Sequence, residues 1–420
     1  MANQHNSKLI NRFPTGIITP PSSKSLCHRA VLCAALASGS TESEIRSLSR
    51  SADIDATLLA ATALGATWRQ ENGVLYIKGG LHPAGDGPLR LHCGESGSTL
   101  RFLIPVAATT GRAVIFTGEG RLLARPMDIY RDIFTRMGCG FRQTEQEIFL
   151  QGALPGGTYN LPGHISSQFI SGLLFALPLA EADSTINLTT PLESAQYVDL
   201  TLDMLALFGI IIKTTPTGYH IPGGQQYRPA SYTVEGDYSQ AAFFLAAGAL
   251  GQPVSVQGLN PHSRQGDRAI LQVLADMGAN ITQSGDQLTV TADTLRPVTV
   301  DARAIPDLIP PIAALCCFCH GTSHITNAGR LRIKESDRLH ALAVELAKLG
   351  AQVTEGDDSL TITGADSLPG GTVDSWNDHR IAMAMAVAAI RCRGPVTLTG
   401  WQSVNKSYPD FWRDFEEATL

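Results

Sequence analysis

The 420-residue chain has no apolar run near the ~18 residues that a membrane-crossing helix requires. Its opening residues, MANQHNSK, contain no apolar core of the kind a secretory signal needs, so a cytoplasmic location is expected. Positive charge is not in excess: 32 Lys and Arg against 38 Asp and Glu leave a net charge of −6. Neither nucleic acid nor an anionic membrane surface is therefore expected as a partner, and any anion site must be a local gathering of cations. The phosphate loop, the HExxH pair and the GxGxxG run are all missing, which leaves mononucleotide, zinc and dinucleotide readings without support. Among the eight cysteines, Cys316 and Cys319 make C-x-x-C inside an apolar stretch, with no second pair at zinc-finger spacing. They read as reduced core thiols. With 44% hydrophobic and 17% charged residues the balance is globular, and the length is too great for one ordinary core, so two domains are expected.

What the chain does have is a repeat. Ala-rich apolar segments, most of them closed by Gly, occupy residues 29–39, 101–111, 169–182, 241–251, 310–321 and 381–394. A second kind of segment opens on an acid and runs as an amphipathic helix. Its openings, Asp53, Asp128, Asp199, Asp267, Asp337 and Asp410, recur at intervals of 68 to 75 residues. An acid suits the first helical turn, where the macrodipole is positive. Five of these helices end at Gly65, Gly138, Gly209, Gly278 and Gly350, each followed by a strand pair. The sixth ends with the chain, so the strand-like residues 10–19 are expected to supply part of what is missing and the two chain ends to meet. Each unit reads β-α-β-α-β-β. Segment 381–387, IAMAMAV, is apolar all round and must be buried on most sides. The expected fold class is therefore α/β with helices enclosed by sheets. Two domains of three units each would comprise residues 20–232 and residues 1–19 plus 233–420, with two chain crossings acting as a hinge.

Chemistry gathers at the starts of the apolar helices. Ser23-Lys24-Ser25 with Arg29, Ser96-Gly97-Ser98 with Arg101, Ser166-Ser167-Gln168, Asp307 and Asp378-His379-Arg380 stand there. Ser and Asp are ordinary N-caps, and Asp307 alone reads as one. Lys and Arg are not explained that way, because a cation at a helix N-terminus opposes the dipole at a cost of about 0.3–1 kcal/mol. Cations beside exposed helix-start N–H groups make an anion site. Arg338, just after Asp337, repeats the pattern. The Gly-rich loop 118–126 holds Arg121 and Arg125, and residues 330–338 pack six charges into nine positions.

Taken together, the motifs Ser23-Lys24-Ser25, loop 118–126, Ser166-Ser167-Gln168, Lys334-Glu335-Ser336-Asp337-Arg338, Asp378-His379-Arg380 and Lys406-Ser407-Tyr408-Pro409-Asp410 resemble the 5-enolpyruvylshikimate-3-phosphate synthase family along essentially the whole chain. The resemblance implies an inside-out α/β barrel of six units with a cleft between two domains. It implies a transferase that moves the enolpyruvyl group of phosphoenolpyruvate to the 5-hydroxyl of shikimate 3-phosphate and releases phosphate, a step of aromatic amino acid biosynthesis. Carried over, Lys24, Ser25, Arg29, Ser166, Ser167, Gln168, Ser194, Asp307 and Lys334 would hold shikimate 3-phosphate. Lys24, Gly97, Arg125, Gln168, Arg338, Arg380 and Lys406 would hold phosphoenolpyruvate. Glu335 would be the proton donor to carbon and Asp307 the acceptor of the hydroxyl proton, with Lys24 and Lys406 assisting. No metal and no organic cofactor is implied, and a monomer is expected. Gly97 leaves room for a ligand, which implies inhibition by glyphosate.

Three positions depart from the familiar pattern. Glu95 stands where Asn is common, Arg330 where one branch has Asn, and Phe102 where Pro is common. A carboxylate at Glu95 would repel phosphoenolpyruvate unless paired. Two alternatives remain open: enolpyruvyl transfer to UDP-N-acetylglucosamine, and a non-catalytic anion-binding relative. The first usually carries a reactive Cys in the loop corresponding to 118–126, which has none here. The second leaves Asp307, Glu335, Lys24 and Lys406 without a purpose.

Overall fold

The computed structural model describes residues 7–292 and 294–417. The chain divides into two compact units. Unit 1 comprises Met1–Ser23 with Glu235–Leu420, and unit 2 comprises Lys24–Val234. Both crossings thus fall a few residues later than the positions 19/20 and 232/233 inferred from the repeat. Ser23 donates its backbone N–H to Glu235 O at 2.8 Å, so the outgoing and returning strands stay joined inside unit 1 up to that point.

Twelve α-helices are found among the described residues. Those of unit 2 are α1 (Lys24–Leu36), α2 (Ala52–Ala63), α3 (Gly97–Ala108), α4 (Asp128–Arg136), α5 (Ser167–Ala176) and α6 (Ala195–Leu207). Those of unit 1 are α7 (Tyr238–Leu250), α8 (Ile270–Asp276), α9 (Ile309–Cys316), α10 (Arg338–Lys348), α11 (His379–Ala389) and α12 (Phe411–Glu417). The odd-numbered helices are the apolar ones. Every residue of α7, α9 and α11 is buried, as is nearly every residue of α1, α3 and α5. Each unit has its own hydrophobic core built around them.

Ala and Gly let these helices approach closely. Gly172 in α5 has space for no side chain: a Cβ there would lie 2.2 Å from Tyr130 Oη and 2.4 Å from Arg101 O of α3. The sheets carry the outside. Their strands alternate buried and less buried residues, as in Val74–Lys78 and Leu89–His92, so one face meets the helices and the other meets solvent. The architecture is the α/β arrangement with enclosed helices that the repeat implies.

The six sheets found among the described residues repeat one topology, five of them four-stranded. In the second repeat, Leu89–His92 pairs parallel with Val114–Thr117, which pairs antiparallel with Ile148–Gln151 of a hairpin. Two strands are exchanged along the chain. Ser231–Thr233 returns to pair with Ser43–Arg46 and complete the first sheet of unit 2. Gly16–Ile18 pairs parallel with Val254–Val256 and completes the first sheet of the second half of the chain. Of the strand-forming N-terminal residues, only Ser7–Ile10 joins the last sheet, antiparallel to Val396–Thr399. An N-terminal strand does join the last sheet, but it is Ser7–Ile10; of the expected residues 10–19 only Ile10 takes part there, and residues 16–18 serve the sheet of Val254–Val256 instead.

The five glycines that end amphipathic helices have φ between 74° and 109°, the left-handed conformation that closes a helix. Two openings of the amphipathic helices differ from the sequence reading: Asp267 lies in the 3-10 turn Gly266–Ala269 ahead of α8, and Asp199 lies inside α6. α6 begins at Ala195, after Ser194 at φ 54°, so Asp199 lies a turn inside the helix and does not open it. The eight cysteines form no disulfide, and Cys316, Cys317 and Cys319 are buried in the core of unit 1.

Gly65 combines φ +109° with a backbone approach: an added Cβ would lie 2.7 Å from His82 O. The variant Gly65→Ala should lose at least about 1–2 kcal/mol of stability, read as a lower midpoint in denaturant. An unchanged midpoint would show that this helix end adapts without the glycine.

Candidate active site

In unit 2 the starts of α1 and α3 carry cations. Lys24 opens α1 and reaches Asp53 Oδ2 of α2 at 2.7 Å. Arg29, one turn later, is buried. Its guanidinium donates to Ser25 O (2.7 Å), Tyr197 O (2.7 Å) and Thr201 Oγ1 (2.9 Å), and it lies over the Phe102 ring at 5.3 Å. Arg29 therefore ties α1 to α6, and Phe102 gains a role that a Pro there would lack. Burial pushes the Arg29 guanidinium down to about 10, still charged at neutral pH.

The start of α3 also gathers cations. Ser96 caps it through Thr99 N at 3.2 Å. A Cβ on Gly97 would lie 2.5 Å from Arg125 Nη1 and 3.3 Å from Arg101 Nη1, so two guanidinium groups converge on a residue without a side chain. Gln143 fixes the Arg125 loop by donating to Leu123 O (2.7 Å) and Arg125 O (3.0 Å). Gln168 in α5 accepts from Arg101 Nη1 at 2.7 Å and donates to Ser98 Oγ at 2.9 Å. Ser166 caps α5, and Ser167 and Gln168 form its first turn. Helix-start N–H groups beside two guanidiniums make a seat for an anion. Glu95 lies against loop 118–126: a Cβ on Gly120 would be 2.0 Å from Glu95 Oε1.

His28 was given no role by sequence reasoning. It is buried, and burial pushes its imidazole down to about 3, with Asp53 opposing and Lys24 and Arg29 adding to the shift. The neutral ring bonds Thr57 Oγ1 at 2.7 Å, Thr57 bonds Thr99 Oγ1 at 2.7 Å, and Thr99 donates to Ser96 Oγ at 2.7 Å. This hydroxyl chain links α1 and α2 to the cap of α3.

In unit 1 the cations are interlocked with carboxylates. Arg338, 2% exposed, donates to Asp378 Oδ2 (2.8 Å), Asp307 Oδ1 (2.9 Å) and Glu335 Oε2 (2.8 Å). Burial works against its charge, but Asp378, Glu335 and Asp307 outweigh burial and hold the guanidinium above its ordinary range. Asp307 is not a helix cap: it sits in the 3-10 turn Pro306–Leu308, and α9 begins beyond it without a side-chain cap. Its carboxylate faces Arg338 Nη1, Lys334 Nζ at 3.5 Å and Arg380 Nη2 at 3.4 Å, while its carbonyl accepts from Arg380 Nη1 at 3.0 Å. Burial would raise its carboxyl, but Arg380, Lys334 and Arg338 hold it well below the usual carboxylate range. Glu335 Oε2 also lies 3.0 Å from His379 Nδ1. Asp378 caps α11 through Arg380 N at 2.9 Å. Lys406 Nζ donates to Asn377 O at 2.5 Å.

Asp307, Lys334, Glu335, Arg338 and Arg380 thus come together in unit 1, with Lys406 joined through Asn377. In unit 2, Gly97, Arg125 and Gln168 meet at one helix start, and Lys24, Ser25 and Arg29 at another. Ser194 is buried at the left-handed start of α6, beside the helix that receives Arg29. The sequence reading gave no role to Asp53 beyond opening a helix, and none to Arg101 or His379. The Asp-His-Arg triplet was the available signal for His379.

A family model described as EPSP synthase (3-phosphoshikimate 1-carboxyvinyltransferase) matches residues 12–415. The chain belongs to the EPSP synthase family. The 3-phosphoshikimate 1-carboxyvinyltransferase of Clostridium kluyveri is 46% identical over 97% of this chain and 96% of its own length. That of Clostridium acetobutylicum is 46% identical over 96% and 94%. Among solved structures, the EPSP synthase of Acinetobacter baumannii superposes with a TM-score of 0.79 at 28% identity, covering 99% of this chain and 98% of that one. The enolpyruvyl transferase NikO of Streptomyces tendae shares the fold, with a TM-score of 0.77 at 18% identity.

Burial lowers Lys334 to about 8, Asp307 opposing and Arg338, Arg330 and Arg380 adding to the shift. Between about pH 8 and its ordinary 10.5, the folded protein then binds fewer protons than the unfolded chain, so this group's contribution to stability rises with pH across that window. Replacing Lys334 by Met should flatten that rise, by about 2 kcal/mol given that 28% of the side chain stays exposed. Thermal melts of both proteins from pH 7.5 to 10.5 decide it. Parallel curves would place Lys334 at its ordinary value.

Proposed function

We propose a division of labour for the carboxyvinyl transfer that this family performs. Cations at the helix starts bind the two anionic substrates, and the carboxylates around Arg338 move the protons. Lys24, Ser25, Arg29, Ser166, Ser167, Gln168, Ser194, Asp307 and Lys334 are assigned to shikimate 3-phosphate. Gly97, Arg125, Arg338, Arg380 and Lys406 are assigned to phosphoenolpyruvate, with Lys24 and Gln168 shared. The observation that carries the assignment is the pair of carboxylates on one buried guanidinium: Asp307 and Glu335 both accept from Arg338 but differ in their other partners. Asp307 is surrounded by three cations and is held ionised, as a proton acceptor must be. Glu335 faces His379 on the same oxygen that meets Arg338.

In this reading Glu335 delivers a proton to the methylene carbon of phosphoenolpyruvate, making C2 electrophilic. The 5-hydroxyl of shikimate 3-phosphate attacks C2 while Asp307 takes its proton. The tetrahedral intermediate expels phosphate as its C–O bond breaks, the phosphate takes the proton held by Asp307, and the methyl group returns a proton to Glu335, restoring the enol ether and both carboxyl groups. The departing phosphate carries the charge that the cations neutralise. Arg29 contributes mainly by fixing α6 beneath Ser194, since three of its N–H groups bond protein atoms. A monomer in the cytoplasm belongs to the same proposal; no described helix is long and apolar enough to cross a membrane.

Phosphate release from phosphoenolpyruvate should require shikimate 3-phosphate and should fall roughly a hundredfold or more in Glu335→Gln, with shikimate 3-phosphate binding retained. Release with UDP-N-acetylglucosamine alone would assign the chain to the other transferase. Glyphosate should inhibit the enzyme in competition with phosphoenolpyruvate. The variant Gly97→Ala, whose Cβ would crowd Arg125 at 2.5 Å, should weaken that inhibition about tenfold, or about 1.4 kcal/mol. A rate indifferent to a large excess of glyphosate would refute the ligand space assigned at Gly97.

A further inference from the structure

The polypeptide turns sharply just before Asp378-His379-Arg380. Trp376 and Asn377 are consecutive non-glycine residues with φ of 54° and 52°. Two left-handed residues in succession persist only where their surroundings over-determine them. Asp374 Oδ1 accepts from Trp376 N at 2.6 Å, and Ser375 Oγ accepts from Asn377 N at 3.2 Å. A third hold comes from outside the turn. Glu345 in α10 is completely buried. Its Oε2 accepts from Asp374 N at 2.9 Å and its Oε1 from the Trp376 indole N–H at 2.6 Å. Lys348, one turn along, donates to both oxygens at 2.8 and 2.9 Å and supplies the countercharge.

Arg338 and Glu345 are seven residues apart, two turns of the same helix, and so share a face. Arg338 binds Asp378 at the far end of the turn, while Glu345 binds Asp374 and Trp376 at the near end. One rigid helix thereby clamps the whole segment 374–378. What the segment delivers is the cap of α11, hence Arg380, and the Asn377 carbonyl that receives Lys406 at 2.5 Å.

We propose that Glu345 is a positioning residue for phosphoenolpyruvate: it holds the left-handed turn that sets Arg380 and Lys406 where they meet the substrate's anionic groups. This rests on the assignment of Arg380 and Lys406 made above. Glu345 touches no substrate in this reading. Its removal would leave the Asp374 N–H and the indole N–H without their buried acceptor, and the turn would relax toward ordinary φ values, carrying Arg380 and the Asn377 carbonyl with it.

The test compares Glu345→Gln, Trp376→Phe and Arg380→Ala by steady-state kinetics, with calorimetric binding of shikimate 3-phosphate alone. Glu345→Gln should raise the KM for phosphoenolpyruvate about tenfold while the affinity for shikimate 3-phosphate stays within twofold. Trp376→Phe, which deletes the indole donor together with part of the ring but leaves Glu345 and its bond to Asp374 in place, should move the same constant in the same direction by less, and it keeps the proposal testable if Glu345→Gln does not fold. Arg380→Ala should raise that KM further than either. If Arg380→Ala raises it and both other variants leave it unchanged, the clamp plays no positioning part and the proposal fails alone. If Arg380→Ala leaves it unchanged, the assignment beneath the proposal fails and takes the proposal with it. Equal losses for both substrates with a lower melting temperature would make Glu345 an ordinary buried structural residue and overturn the proposal.

Discussion

A buried guanidinium that cannot be left without partners organises unit 1. Arg338 is 2% exposed and meets carboxylates from three separate segments: the turn before α9, the residues before its own helix, and the cap of α11. Removing one partner from such a group typically costs about 3–5 kcal/mol, because an uncompensated charge remains buried. The network therefore holds three helix starts in register. The three carboxylates outnumber the one cation, and Lys334 and Arg380, both at Asp307, redress the balance. The same residues that stabilise the unit thus surround Asp307 and Glu335, the carboxylates proposed to move protons.

Unit 2 solves a different electrostatic problem with the same fold. Arg29 is held by two carbonyls and a hydroxyl, and Arg101 accepts the company of a Gln amide. Neutral partners satisfy the Arg29 N–H groups without cancelling its charge, so its positive potential remains available to an anionic ligand. Lys24 is the exception, paired with Asp53. Within one repeated architecture, then, a helix-start cation is held by dipoles at Arg29 and by carboxylates at Arg338. Divergence at the helix starts suffices, because the enclosed helices and outer sheets carry the packing.

Much of the repeat was legible in the sequence because its markers are backbone requirements. A left-handed helix end calls for Gly65 or Gly350 wherever the motif recurs, and a helix apolar on every side, such as α11, has to be enclosed. The candidate site was legible where cations stand at helix starts against the dipole. It was not legible where the contribution is a buried neutral or paired group. His28, Glu345 and Trp376 look like any core histidine, salt-bridged glutamate and loop aromatic until their partners are known. Asp307 misled in the other direction, its position reading as a cap although its carboxylate faces three cations. Asp199 did likewise, since an acid one turn inside α6 follows the same spacing as one that opens a helix.

The sequence by itself determined the six-part repeat, the class of each helix and the residues that bear charge at the helix starts, since these follow from local periodicity, glycine conformation and dipole sign. Only the tertiary structure decided the partners. Gly16–Ile18 and Ser231–Thr233 pair across more than 180 residues, and Arg338 joins Asp307 and Asp378 from 31 and 40 positions away. No local rule fixes such pairings. They are selected by the cost of leaving a strand edge unpaired or a buried charge uncompensated once the cores have closed.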